Sequence, residues 1–133
     1  MTVPKGPTPP VALSRSYDLV NELGQSVARY ARSHRYILGD RTLTTAYDML
    51  DLLIEARYTR DKVPLLNRAN IMLERLRFQV RLAHDHRLLS TGRYGELAAR
   101  IDEVGRLVGG WRKNRAAGAP SPEPPTPRTE ITP

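Results

Sequence analysis

The sequence has 133 residues, with 21 Lys or Arg against 14 Asp or Glu, a formal charge of +7 with neutral histidines; that length holds one small domain. The lack of any cysteine excludes a disulfide framework, a thiolate metal site and a cysteine nucleophile, and fits a reducing cytoplasm. No stretch approaches the roughly 20 apolar residues that span a bilayer, and the opening residues lack the apolar run of a secretory signal, so a soluble cytoplasmic protein without membrane association is expected.

Proline marks the boundaries: of 11, four lie in residues 1–10 and six in 116–133, with only Pro64 between. Residues 1–13 are therefore expected to be a disordered tail and 14–115 a folded domain. Residues 116–133 should be a second, Pro-rich disordered tail, because so few apolar groups cannot offset the entropy of ordering. Pro122 and Pro125 have PxxP spacing, but such spacing arises readily in any Pro-rich tail and the stretch reads as solvated. Lys5 adds one charge on the left, and Arg128 against Glu123 and Glu130 gives −1 on the right, so the folded part carries the whole +7.

Within the domain apolar residues recur every three or four positions, the helical period. A first helix is expected on the stripe Tyr17, Val20, Gly24, Val27 and Ala31, with Ser14 or Ser16 as N-cap. A break at Ser33–Tyr36 and Gly39–Asp40 precedes a second helix carrying Leu43, Tyr47, Leu50, Ile54 and Tyr58, with Asp40 as its cap. Pro64 suits the first turn of a third helix, where its missing N–H costs nothing; Leu66, Ala69, Leu73, Leu76, Val80 and Ala83 follow, ending near His86. After Ser90–Thr91–Gly92, Tyr94, Leu97, Ile101, Val104, Val108 and Trp111 step by 3, 4, 3, 4, 3, a heptad seam. Short loops between helices of roughly 30 Å force antiparallel neighbours, so the expected fold is an all-α, up-down-up-down antiparallel four-helix bundle. Gly105 and Gly109 on the last helix are explained by close backbone approach, with fraying of the helix end before Trp111 as the competing reading.

Catalytic chemistry does not assemble from these residues. Glu22, Glu55, Glu74 and Glu103 put one carboxylate on each helix, but a di-iron site also needs Glu-x-x-His on two of them, and Gln25, Tyr58, Arg77 and Arg106 stand where the histidines should. His84 and His86 are two apart and point to different faces, poor spacing for a metal. GxSxG, GxxxxGK[ST] and HExxH are all missing. No enzyme, cofactor or metal site is expected.

The basic residues carry the functional signal. Arginines number 18 against three lysines, and a planar guanidinium pairs phosphates bidentately and stacks on bases where lysine supplies only charge. Clusters fall at helix ends: Arg29, Arg32, Arg35 and Arg41 around the first turn, Arg57, Arg60 and Lys62 around the second, Arg112, Lys113 and Arg115 at the close. Arg77 and Arg81 lie one turn apart on the third helix. Nucleic acid is the partner class this pattern favours. Asp48, Asp51 and Glu55 form a like-charged stripe on the second helix, which repels itself unless cations, from another subunit or from solvent, face it.

Four ordered segments are similar to one family. SHRYILGDR, LLIEARYTRDKVPLLNRA, LERLRFQVRLAHD and IDEVGRLVGGWRK, together covering roughly Tyr17 to Lys113, resemble the accessory variability determinant family of diversity-generating retroelements. The run of Glu103, Gly105, Arg106, Gly109, Gly110, Trp111 and Lys113 is the most specific piece. The resemblance implies a non-enzymatic partner of a reverse transcriptase: a pentameric ring of four-helix protomers that binds template RNA and its cDNA and is needed for mutagenic copying. By motif, Arg35, Arg77, Arg81, Arg106 and Lys113 occupy the family's basic positions. With the helix-end clusters, the expected nucleic-acid residues are Arg32, Arg35, Arg41, Arg60, Arg77, Arg81, Arg112 and Lys113, and the expected protomer interface is Asp48, Asp51, Glu55 and Arg106. A weaker resemblance, in architecture more than in motif, is to four-helix proteins encoded by intervening sequences of bacterial ribosomal RNA genes. It implies a protein-interaction scaffold without specific RNA binding.

Overall fold

The computed structural model describes residues 10–116, and the described residues contain helices and no strand. Four long helices, α1 (Val11–Val27), α2 (Asp40–Tyr58), α3 (Val63–Asp85) and α4 (Thr91–Ala116), run up, down, up and down. Each packs on its neighbours in the order α1–α2–α3–α4 and back to α1, so α1 and α3 are diagonal, as are α2 and α4. This is the expected antiparallel four-helix bundle. The N-terminal tail, expected to be disordered through residue 13, is helical from Val11, and the residues before Pro10 and the Pro-rich tail beyond Ala116 lie outside the described residues.

The α3 and α4 seams are those read from the sequence. Leu66, Ala69, Leu73, Leu76, Val80 and Ala83 are all buried, as are Leu97, Ile101, Val104 and Val108. The capping chemistry is local. Pro64 sits in the first turn of α3, and the Ser90 hydroxyl accepts the Arg93 N–H at 3.1 Å, bonding an orphan amide at the start of α4. Lys62 Nζ donates to the carbonyls of Ala56 and Thr59, each at 2.7 Å, tying off the end of α2. At the close of α3 the N–H of Leu88 reaches Ala83 O and that of Arg87 reaches His84 O, a Schellman motif that places Arg87 at φ 63°, a position glycine fills without strain.

The first half departs from the sequence reading in three ways. Helix α1 starts at Val11 behind Pro10 and has no side-chain cap; Ser14 and Ser16 lie inside it, and the Ser16 hydroxyl donates back to Leu13 O at 2.9 Å. Its apolar core face is Ala12, Leu19, Val20, Leu23 and Val27, of which Val20 and Val27 were expected, while Tyr17 is 60% exposed and Ala31 lies beyond the helix. On α2 the inward residues are Thr42, Thr45, Ala46, Met49, Leu52, Leu53 and Ala56. Tyr47, Ile54 and Tyr58, expected inside, are 53%, 43% and 75% exposed.

The third departure is the break. The chain leaves α1 through Arg29–Ala31 and is helical again from Arg32, through one turn (Arg32–His34) and a π-helical turn (Arg35–Gly39) that runs into α2. Asp40 therefore caps nothing. Gly39 acts by size and not as a breaker: a Cβ there would sit 2.7 Å from Val27 Cγ1, so only glycine lets the lead-in to α2 close onto the end of α1.

Candidate nucleic-acid interface

Up-down topology gathers residues distant in sequence at two poles of the bundle. At one pole meet the end of α1, the lead-in to α2, the end of α3 and the start of α4; at the other meet the start of α1, the α2–α3 turn and the end of α4. Of the expected nucleic-acid residues, Arg32, Arg35 and Arg41 fall at the first pole. Arg60, Arg112 and Lys113 fall at the second, and Arg77 and Arg81 lie between them on α3. An α-helix rises 1.5 Å per residue, so the two poles are roughly 30 Å apart and no single contact joins all eight.

The first pole holds more charge than the sequence reading assigned to it. Arg29 and Arg87 join Arg32 and Arg41 there, all four exposed and without an ion pair among the described residues. Arg35, in the π-helical turn, is half-buried; its Nη2 donates to Tyr30 O at 3.4 Å and its Nε is buried without a partner. All three histidines converge on this pole. The His34 and His86 rings lie 5.2 Å apart, and His84 stacks on Tyr94 at 4.7 Å with Nε2 3.2 Å from Thr91 Oγ1. His84 and His86 do face different ways, as their spacing indicated. Below them an open cleft of about 410 Å³ is lined by Gln25, Arg29, Ser90 and Arg93. The histidine convergence had no signal in the sequence, because it brings His34 of the lead-in to α2 against His86 at the end of α3, some 50 positions away.

At the second pole Arg60 and Lys113 are exposed, and Arg112 Nε donates to Asn67 Oδ1, linking the end of α4 to the start of α3. Arg57 lies over the Tyr58 ring at 5.3 Å.

Between the poles ion pairs hold part of the charge. Arg77 donates to Asp102 at 2.9 Å and to Glu74 at 2.7 Å, and the Asp102 hydrogen bond, foremost, raises the affinity of its guanidinium for the proton. Arg93 and Arg100 share Glu22 at 3.5 and 2.6 Å, and Arg15 reaches Glu103 at 3.4 Å. These pairs zip α4 to both of its neighbours. Arg81, by contrast, is exposed in the α3–α4 groove beside Phe78 and Tyr94. Glycine on α4 does not serve close backbone approach as expected: a Cβ at Gly105 would meet only the far end of Arg77, at 3.2 Å, and one at Gly109 would meet nothing within 4 Å.

The four carboxylates weighed as a di-iron set lie outside the core: Glu22, Glu74 and Glu103 pair with arginines, and Glu55 is exposed. Among the described residues no group of three or more His, Cys, Asp or Glu could hold a metal ion, and no helix is long and apolar enough to cross a membrane. Of the expected interface residues, Asp48, Asp51 and Glu55 are exposed along α2 and Arg106 is exposed on α4, the helix diagonal to it.

Comparison with known proteins identifies the family. Residues 11–115, from the first residue of α1 almost to the end of α4, match the family described as bAvd-like. No curated protein matches the chain.

Proposed function

Because the chain belongs to the bAvd-like family, an accessory and not a catalytic one, we propose that it serves a diversity-generating retroelement in the cytoplasm. In this reading it binds template RNA and its cDNA together with the reverse transcriptase, as a homopentamer, and supports mutagenic copying without catalysing it. The observation that carries the nucleic-acid part is the distribution of charge. On both flanks of α4 ion pairs tie up Arg77, Arg93 and Arg100, whereas Arg29, Arg32, Arg41 and Arg87, exposed and without such pairs among the described residues, gather at the first pole. Phosphates are attracted where guanidinium groups remain available, and each one neutralised releases counterions. Arg32, Arg41 and Arg60 fit that role; Arg35 supports it from the π-helical turn, and Arg112 and Lys113 extend it at the second pole. Arg81 adds an exposed charge in the α3–α4 groove. Arg77, already held by two carboxylates, contributes least.

Anisotropy of a labelled single-stranded RNA, titrated with protein at several salt concentrations, tests this. Replacing Arg32, Arg35 and Arg41 together by Gln is expected to lower the magnitude of the salt slope by about 2 units, since each phosphate contact on a single strand accounts for about 0.7. Arg77→Gln should leave the slope unchanged. A wild-type slope near zero, or equal slopes for wild type and the triple variant, would refute the assignment.

A further inference from the structure

The unpaired acidic groups are not spread over the molecule. Among the described residues, every carboxylate of α1, α3 and α4 but Asp85 has an arginine partner, and Asp85 lies 3.9 Å from His84 Nδ1. The described carboxylates with neither, Asp40, Asp48, Asp51, Glu55 and Asp61, all belong to α2 or its immediate flanks. Beside the acidic stripe runs an apolar one. Tyr47, Leu50 and Ile54 of α2, with Leu13 and Tyr17 of α1, line an open groove between the two helices. Tyr17, Tyr47 and Ile54 there are 60%, 53% and 43% exposed, a contiguous apolar surface of the kind that marks an interaction site.

Helix α3 presents the complement. Its buried seam holds Leu66, Leu73 and Val80, and on the opposite side Arg68, Ile71, Arg75, Phe78 and Leu82 recur at spacings of 3, 4, 3, 4, all exposed. That is a second heptad seam on one helix, and it has no partner in the bundle. Ile71, Phe78 and Leu82 are 52%, 55% and 47% exposed. Neither Arg68 nor Arg75 makes an ion pair among the described residues. The two surfaces also match in period: Arg68 and Arg75 are seven residues apart, as are Asp48 and Glu55, and Ile71 and Phe78 repeat as Tyr47 and Ile54 do. On an α-helix each seven-residue step is about 10.5 Å.

We propose that the outer seam of α3 in one copy of this chain docks in the α1–α2 groove of the next. Arg68 and Arg75 meet the Asp48–Asp51–Glu55 stripe, and Ile71, Phe78 and Leu82 cover Tyr17, Tyr47, Leu50 and Ile54. The occupant is a second copy and not nucleic acid, because a row of carboxylates repels phosphate while this chain itself carries the matching cations at the matching period. The proposal rests on the homo-oligomer part of the reading above and adds which faces meet. Donor and acceptor faces differ, so the contact is head-to-tail, each copy uses both, and assembly proceeds beyond a dimer. It also leaves the basic poles uncovered.

Charge exchange at exposed positions, read by light scattering coupled to size exclusion, tests it. Wild type is expected above twice the 15.0 kDa protomer mass. Asp51→Arg alone and Arg75→Glu alone should each fall to the protomer mass with unchanged helical circular dichroism. The Asp51→Arg/Arg75→Glu double variant should regain the wild-type mass, because the reversed pair attracts again. If wild type assembles and both single variants keep its mass, the pairing of these faces is wrong while oligomerisation stands. A wild-type protomer in solution would remove the oligomer part of the functional reading and this proposal with it. If that monomer loses reverse-transcriptase binding on Asp51→Arg, the stripe belongs to the transcriptase instead.

Discussion

Tyr30 closes the end of α1 with its ring 1% exposed and its hydroxyl buried without a hydrogen-bond partner among the described residues. Burial disfavours the charged phenolate and pushes its pKa up to about 12, from an ordinary value near 10. A raised pKa means that the folded state prefers the neutral phenol. The stability this confers is complete below about pH 10 and is lost as the pH rises toward 12, at up to about 1.4 kcal/mol per pH unit and about 3 kcal/mol in total. Tyr30→Phe removes the titration and also the desolvated hydroxyl, so at pH 7 the variant should be as stable as wild type or up to about 1 kcal/mol more so. Urea unfolding of both proteins across the alkaline range measures the difference, in which groups common to both cancel. Parallel loss of stability above pH 10 would show that Tyr30 is not the responsible group. A variant less stable by more than about 1 kcal/mol at pH 7 would show that the hydroxyl is bonded in the folded protein.

Two substitutions probe the helices. Gly109→Ala places a methyl where nothing lies within 4 Å, so it should stabilise by about 0.5–1 kcal/mol through helix propensity and raise the melting temperature by a few degrees; a loss would restore the close-approach reading of this glycine. Arg87→Gly relieves a left-handed residue at φ 63° in the α3 Schellman motif and should gain about 0.5–1 kcal/mol in chemical unfolding. Destabilisation there would mean that the Arg87 side chain makes a contact worth more than the strain.

The sequence alone determined the helical class, the bundle topology and the whole of α3 and α4. There the large apolar residues and the core are the same set, because Leu and Val at heptad spacing leave one face to bury, and Pro64 and Ser90 mark the starts by chemistry local to the chain. On α1 and α2 that identity fails. Small and hydroxyl-bearing residues share the interior with Leu19, Leu23, Met49 and Leu53 where the helices meet: Thr42 and Thr45 are buried because their hydroxyls donate to Leu38 O at 2.8 Å and Arg41 O at 2.9 Å within their own helix. Hydropathy counts such residues as polar and so rotates the apparent core face toward Tyr17, Tyr47 and Ile54, which line an open groove. The break before α2 was misplaced for a related reason, since glycine reads as a terminator while Gly39 is there for its size against Val27.

Charge divides in the same manner. Composition determined that the partner class favoured is polyanionic, because the count of guanidinium groups does not depend on how the chain folds. Only the tertiary structure decided which of them remain available. Arg77 and Asp102 are 25 residues apart and meet only because α3 and α4 run antiparallel in this register, and it is that meeting which removes Arg77 from the free cations and leaves Arg81, one turn away, among them.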